Sequence, residues 1–251
     1  MKIALVGAGN LGIHLYREFV IHPEIELVLW HQNKALKSTT EEGVPITSNL
    51  NDIPDGILCI MAVPDHTIAS VTQQISEKAF VVHTSGASSM DVIIQKNSGV
   101  FYPLQSFSST RSVSFTDLTV CIETRKKEDL HTLETLAQHL KARPVEMDSA
   151  KRFTLHLAAV LVNNFTNHLY VQAEQLCHSH DLSFDLLKPL ILETAQKIQT
   201  LTPNDAQTGP AIRKDEKTIS KHLDWIQNTE LKKIYSTLTT AINKTNGNKK
   251  L

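Results

Sequence analysis

The feature that most constrains this chain is its first twelve residues, Met1-Lys-Ile-Ala-Leu-Val-Gly-Ala-Gly-Asn-Leu-Gly12. Ile3 to Val6 reads as a short buried strand, and Gly7, Gly9 and Gly12 form a G-x-G-x-x-G. Leu11, Leu15, Phe19 and Val20 then follow at helical spacing. In such a strand–turn–helix each glycine has its own reason. Gly7 permits the tight turn, Gly9 lets the backbone approach a pyrophosphate, and Gly12 lets the helix lie close on the strand. The helix start adds free N–H groups and the positive end of a dipole. Gly7, Ala8, Gly9, Asn10, Leu11 and Gly12 are therefore expected to meet a dinucleotide. A glycine turn with only a packing role is the alternative.

Strands and helices alternate after this turn. Leu27–His31, the continuous apolar run Gly56–Val63, Phe80–Thr84, Val100–Tyr102, Leu118–Glu123 and Pro144–Met147 read as strands. Thr67–Ile75 and the segment holding Leu130, Leu133, Ala137 and Leu140 read as helices. From Ser149 to about His180 there is no Gly or Pro, and the period is helical throughout. A helix of roughly 30 residues would span about 45 Å, too long for a crossover within a compact sheet. The expected class is α/β: an N-terminal Rossmann-type doubly wound, mostly parallel sheet over residues 1–148, then an all-α domain over residues 149–242. Ser183 and Asp215 are expected helix caps, and Pro189 is expected to disturb the first turns after Ser183. The polar tail, residues 243–251, is expected to fray.

Composition excludes several classes of function. Lys+Arg 25 against Asp+Glu 26 leaves no basic excess for nucleic acid or an anionic membrane. No apolar run has the length of a membrane span, and Lys2 leads into a core strand rather than a signal peptide. Cys59, Cys121 and Cys177 lie far apart in apolar segments, as free thiols in a reducing cytoplasm would. The twelve histidines show no ligand spacing: His178 and His180 would point to different faces, and no H-x-x-x-H or C-x-x-C occurs. No metal site is expected.

The end of the second strand bears on which dinucleotide is bound. An acid there holds the ribose 2′-OH of NAD, but this chain has Trp30-His31-Gln32-Asn33-Lys34. His31, Asn33 and Lys34 could hydrogen-bond a 2′-phosphate that a carboxylate would repel. NADP is expected over NAD, and FAD is disfavoured because no second FAD-type motif is visible. The same residues could be only a polar surface turn. Met61-Ala-Val-Pro-Asp65 and His83-Thr-Ser-Gly-Ala87 end two strands at the carboxyl edge, where open α/β sheets bind ligands. Ala62, Val63, Pro64, Thr84, Ser85 and Gly86 are thus expected beside the nicotinamide, with ordinary βα turns as the alternative.

At about 100° per residue, Arg152, His156, Ala159, Asn163, Asn167 and Tyr170 share an arc of about 80° on the long helix. This face is polar without being a run of Lys and Glu, so it suits a ligand cleft or a satisfied helix contact. In the first case His156 is the acid/base candidate, because histidine titrates near neutral pH, and Asn163 orients substrate. Gly209-Pro210 fixes a turn before Arg213, which could hold a carboxylate or phosphate or could pair with Asp215 or Asp205. The opposite side of the helix carries Leu157, Leu161, Phe165, Leu169 and Leu176, enough apolar surface for a homodimer through the helical domain.

From about Met1 to Ile242 the chain resembles a bacterial family of Rossmann-like proteins with a C-terminal helical domain of unknown function. The resemblance rests on Val6-Gly-Ala-Gly-Asn-Leu-Gly12, Ala62-Val-Pro-Asp65, His83-Thr-Ser-Gly-Ala87, Tyr102-Pro-Leu-Gln-Ser-Phe107, His156-Leu-Ala-Ala-Val160 with Asn163-Asn164, and Thr208-Gly-Pro-Ala-Ile-Arg213 with Asp215. The family is similar to pyrroline-5-carboxylate reductase, ketopantoate reductase and 6-phosphogluconate dehydrogenase. That implies NADP binding and a helical domain that commonly dimerises. Where the family often has His-Pro-Leu, this chain has Tyr102-Pro-Leu, so no catalytic histidine carries over to 102. The Lys-x-x-x-Asn pair of the 6-phosphogluconate dehydrogenase type is also missing, since Lys151 is not followed by Asn at 155.

Two functions follow as expectations. One is an NADP-dependent oxidoreductase acting on a small polar, anionic metabolite held between the domains. His156 and Asn163 would be catalytic, and Tyr102, Gln105 and Arg213 would bind substrate. The other is a non-catalytic NADP-binding redox sensor or scaffold.

Overall fold

The structure, a computed structural model, describes residues 1–246. It comprises two compact units, Met1–Phe165 and the segment from Thr166 onward. The first holds a sheet of eight strands: β1 Lys2–Val6, β2 Glu26–His31, β3 Ile46–Thr47, β4 Leu58–Met61, β5 Phe80–His83, β6 Ser98–Pro103, β7 Thr119–Thr124 and β8 Arg143–Glu146. Their order is β3-β2-β1-β4-β5-β6-β7-β8. Every pairing is parallel except β6 with β7, which is antiparallel. The chain runs from β1 outward to β2 and β3, then returns to place β4 on the other side of β1. The carboxyl edge at this reversal is where open α/β sheets leave a crevice.

Strand period divides the core. Ile3, Leu5, Ile60 and Val82 face helix α1, Asn10–Ile21, and helix α3, Leu130–His139, through Leu15, Phe19, Leu133 and Leu136. Ala4, Val6, Cys59, Met61 and Val81 face the other way, against Ile53, Ile75 and Ile68 of the short helix α2, Ile68–Thr72. Leu15 and Phe19 are fully buried, each worth about 1.5–3 kcal/mol by transfer from water.

The expected strand Gly56–Val63 is shorter, because Gly56 turns at φ 74 and the chain leaves the sheet after Met61. β3 was not expected; at two residues it carries no readable alternation. Helix α4, Ser149–Ala159, is capped by the Asp148 carboxylate, which accepts from the Lys151 amide at 2.8 Å. A π-helical turn, Val160–Phe165, follows. The boundary expected at 148/149 coincides with the start of α4, yet α4 and the π turn belong to the sheet unit, and the division falls after Phe165.

The second unit contains α5 Thr166–His178, α6 Lys188–Lys197, α7 Pro203–Ala206, α8 Glu216–Trp225 and α9 Thr229–Asn246. Ser183 caps a 3-10 turn, Phe184–Leu187, and Pro189 lies in the first turn of α6, where its missing N–H is harmless. Asp215 caps α8 by accepting from the Thr218 amide. Residues 243–246 of the expected frayed tail are helical, and residues 247–251 lie outside the described residues. Among the described residues no helix is long and apolar enough to cross a membrane.

Candidate active site

The glycines of the first turn separate by what surrounds them. Gly7 has φ 107, and a Cβ there would lie 2.2 Å from the Ala62 carbonyl oxygen. A Cβ on Gly12 would lie 2.3 Å from the Gly7 carbonyl oxygen. Both glycines are required by the chain's own packing. Gly9 is different: nothing lies within 4 Å of where its Cβ would be. Its backbone is extended, so neither strain nor crowding explains a glycine there. That open space beside an uncapped helix start with no acid in its first turn fits the pyrophosphate of a dinucleotide. Ala8, Gly9 and Asn10 are exposed and Leu11 is half-buried. The turn is held from behind, where the Trp30 indole donates to the Gly7 carbonyl at 2.9 Å and stacks on Tyr16.

At the end of β2, Asn33 and Lys34 are exposed. His31 is not available in the way expected of it. Its ring is buried, its Nε2 donates to the Ser48 carbonyl at 3.3 Å, and burial lowers its pKa. A strand residue alternates faces, and position 31 turns inward.

At the carboxyl edge Ala62 and Val63 are half-buried and Pro64 is exposed, while Thr84, Ser85 and Gly86 are buried. Thr84 donates its hydroxyl to the Met61 carbonyl, joining the β4 and β5 turns, and Ser85 donates to the Asp65 carboxylate at 2.7 Å. The Ser85 hydroxyl also accepts from the Ala87 and Ser88 amides. Beneath them His83 is fully buried. Its Nδ1 accepts from the Ser85 amide and its Nε2 donates to the Ser89 carbonyl. Burial, and then the nearby Arg152 charge, push its pKa down to about 4. Thr84 and Ser85 thus spend their hydroxyls shaping the turn.

Gly86 joins this turn to the candidate proton-handling residues. A Cβ there would lie 2.7 Å from His156 Nδ1 and 2.7 Å from the Tyr102 ring. Tyr102 ends β6, His156 sits in α4, and the phenol lies 3.2 Å from His156 Nδ1. Burial raises the Tyr102 pKa, so the phenol keeps its proton, and its oxygen can accept from a protonated Nδ1 of His156. Both side chains line a cavity of about 460 Å3 with Gln105, Asn163, Leu104, Leu155 and Asn164, a volume within the range of small-molecule sites.

Four sequence-derived candidates, Tyr102, Gln105, His156 and Asn163, therefore share one cavity. Arg213 belongs to the second unit, where it is exposed in the loop after Gly209. Sequence reasoning missed the partners that hold the site. Glu123 of β7 bonds Arg152, and the β6–β7 loop lies on the dinucleotide turn. In that loop the Phe107 carbonyl accepts from the Asn10 side chain at 3.2 Å. The His14 ring lies between the Asn10 and Arg111 carbonyls. Phe107 was legible only as part of a motif. No local pattern marks Glu123. The second unit has its own cavity of about 370 Å3 lined by Leu176, His180, Trp225 and Leu231. Among the described residues no group of three His, Cys, Asp or Glu could hold a metal ion.

Comparison with known proteins agrees with this architecture. A model of the family described as Domain of unknown function (DUF2520) matches residues 118–242. The solved structure named "putative NADP oxidoreductase" from Bacteroides fragilis is 34% identical, with a TM-score of 0.83 over 97% of this chain and 98% of that one. An imine reductase from Myxococcus stipitatus in complex with NADP+ has 13% identity and a TM-score of 0.67, covering 97% of this chain and 92% of that one. A 1-pyrroline-5-carboxylate reductase from Streptococcus pyogenes has 12% identity and a TM-score of 0.60, covering 97% and 98%. At that identity the last two show a shared fold. No curated protein matches. With 34% identity to the Bacteroides protein over nearly the whole of both chains, and with its C-terminal match, the chain belongs to the family of Rossmann-fold proteins that carry the DUF2520 domain.

Proposed function

We propose that this protein is an NADP-dependent oxidoreductase that reduces or forms a C=O or C=N bond in a small polar metabolite. The observation that carries the reading is the convergence at Gly86. The turn that would flank a nicotinamide is in contact with the Tyr102–His156 pair, and that pair opens onto a cavity. When bound, the dinucleotide supplies or accepts the hydride. His156 moves the matching proton at Nε2: in reduction the doubly protonated ring gives one to the substrate heteroatom and is left neutral with its remaining proton on Nδ1, donated to the Tyr102 oxygen, and in oxidation that neutral ring takes a proton back at Nε2. Tyr102 holds the imidazole in that tautomer, and the amides of Gln105 and Asn163 orient the substrate. Open space at Gly9 accommodates the pyrophosphate, and Asn33 and Lys34, with no acid beside them, suit a 2′-phosphate. The Bacteroides relative's name supports the same cofactor. The first-unit residues that line the cavity include no Lys or Arg.

The test is turnover of NADPH against a panel of keto acids, keto amides, imines and semialdehydes, for the wild type and His156→Ala. The expected result is turnover with at least one compound and a loss of roughly 10²-fold or more in the variant, with NADPH affinity unchanged. NADPH binding with no turnover across the panel would favour a redox sensor or scaffold.

A further inference from the structure

Arg152 sits one helical turn before His156, about 6 Å along the axis of α4. Its side chain is fully buried. The guanidinium donates to the Glu123 carboxylate of β7, to the Ser88 carbonyl at 2.5 Å and to Ser149 Oγ at 3.1 Å. The same carboxylate accepts from the Ser149 amide at 3.1 Å and the Ser149 hydroxyl at 2.8 Å, at the first turn of α4. Ser149 Oγ in turn accepts from the Met90 amide. Three elements thus meet on one planar group: the helix that bears His156, the strand beside Tyr102, and the turn that contains Gly86. Arg152 Nε has no partner among the described residues, which makes the burial costly. A buried ion pair is in any case a weak source of stability. What this one supplies is geometry.

We propose that Arg152 is the positioning residue of the site: its buried fork ties α4 to β7 and to the Ser85–Ser89 turn at once, and so sets His156 over Gly86. The inference rests on the reading of His156 as the proton-handling group. Lysine cannot replace it, because one ammonium on a flexible stem does not hold the strand and the turn in a fixed plane. A shift of His156 by about 1 Å would cost roughly 10²-fold in turnover, although no bond to substrate is lost.

The experiment is 15N NMR of the histidine rings in the full chain, for wild type, Tyr102→Phe, Arg152→Lys and Glu123→Gln, alongside NADPH titration and the turnover panel. The wild type is expected to show the neutral His156 ring in one tautomer, its proton on Nδ1 and donated to the Tyr102 oxygen, with Nε2 unprotonated. Arg152→Lys and Glu123→Gln are expected to move His156 toward the mixed tautomers of Tyr102→Phe. NADPH affinity should stay within twofold, and kcat should fall far more than KM rises. A His156 spectrum unchanged from wild type in both variants overturns the proposal. If Arg152→Lys fails to fold, Glu123→Gln, which keeps the shape of the carboxylate, decides alone. A wild type that turns over no substrate defeats the proposed reaction but not the positioning claim, which the NMR still judges. An unmoved ring together with an inactive His156→Ala defeats the positioning and leaves the reaction standing.

Discussion

Alanine at Gly7 and alanine at Gly9 should have opposite effects, although the residues are two apart in one motif. At Gly7 the new methyl meets the Ala62 backbone carbonyl at 2.2 Å on a backbone with φ 107. The conformation costs about 1–3 kcal/mol and the forced packing a further 1–3 kcal/mol. With about 2–4 °C per kcal/mol for a domain of this size, the melting temperature should fall on the order of 10 °C. At Gly9 the backbone is φ −75, ψ −175, which any residue adopts, and nothing lies within 4 Å of the new methyl. Alanine there should gain about 0.4–1 kcal/mol by restricting the unfolded chain, raising the melting temperature by about 1–4 °C. The methyl does occupy the space assigned to a pyrophosphate. NADPH affinity should therefore fall at least about tenfold, or about 1.4 kcal/mol. Scanning fluorimetry without ligand and titration by NADPH fluorescence measure the two effects separately. Gly9→Ala protein that binds NADPH as tightly as wild type would refute the assignment of that space, and one that melts as low as Gly7→Ala would refute the packing analysis.

Lys34→Glu should weaken NADPH by about tenfold, the scale of one lost charge-assisted hydrogen bond, and leave NADH unchanged; calorimetry showing equal losses would remove Lys34 from the 2′-phosphate. His83 should make the fold acid-sensitive. Its folded pKa of about 4 lies below the ordinary 6.5, so the unfolded chain binds the extra proton. The resulting stability, on the order of 3 kcal/mol, is complete above pH 6.5 and is lost as pH falls towards 4. Urea midpoints of wild type and His83→Gln should converge across that window, and parallel curves would assign the acid sensitivity elsewhere. Leu157 and Phe165 of the first unit and Leu169 and Leu176 of the second are exposed. A homodimer covering them is expected, so light scattering should report about twice the 28.0 kDa chain mass, and a monomer at micromolar concentration would rule it out.

What could be read in the sequence is what is locally encoded. The strand–turn–helix at Gly7 to Gly12 needs only neighbours in the chain, and so do the caps at Ser183 and Asp215. The alternation of strand and helix implied a doubly wound sheet. It carried no information that β7 pairs antiparallel with β6, because pairing direction depends on where the chain returns. Gly86 was legible only as a small turn residue expected beside the nicotinamide, with an ordinary βα turn as the alternative. The reason for a glycine there is two side chains that arrive from 16 and 70 positions further on, and no window of sequence contains all three.

The long helix shows the limit most directly. A helical wheel gives direction, and on it Arg152, His156 and Asn163 share a face. Depth is absent from a wheel. In the folded chain Arg152 points under the Ser85–Ser89 turn and is fully buried, while His156, one turn later, reaches the cavity. The same face thus divides into a structural and a chemical part at Gly86, where the turn passes between them. The wheel also assumes a constant angle per residue, which the π turn Val160–Phe165 does not keep. A π turn closes on i→i+5 bonds and so carries more residues per turn than an α-helix. Successive side chains there are less widely splayed. Asn163 and Asn164, adjacent in that turn, both line the cavity. Two adjacent amides facing one small cavity provide donors and acceptors without adding charge, which matches a lining that also lacks Lys, Arg, Asp and Glu. Within that lining His156, bonded to Tyr102 and set against Gly86, is the side chain to which the proposed reaction assigns the proton transfer.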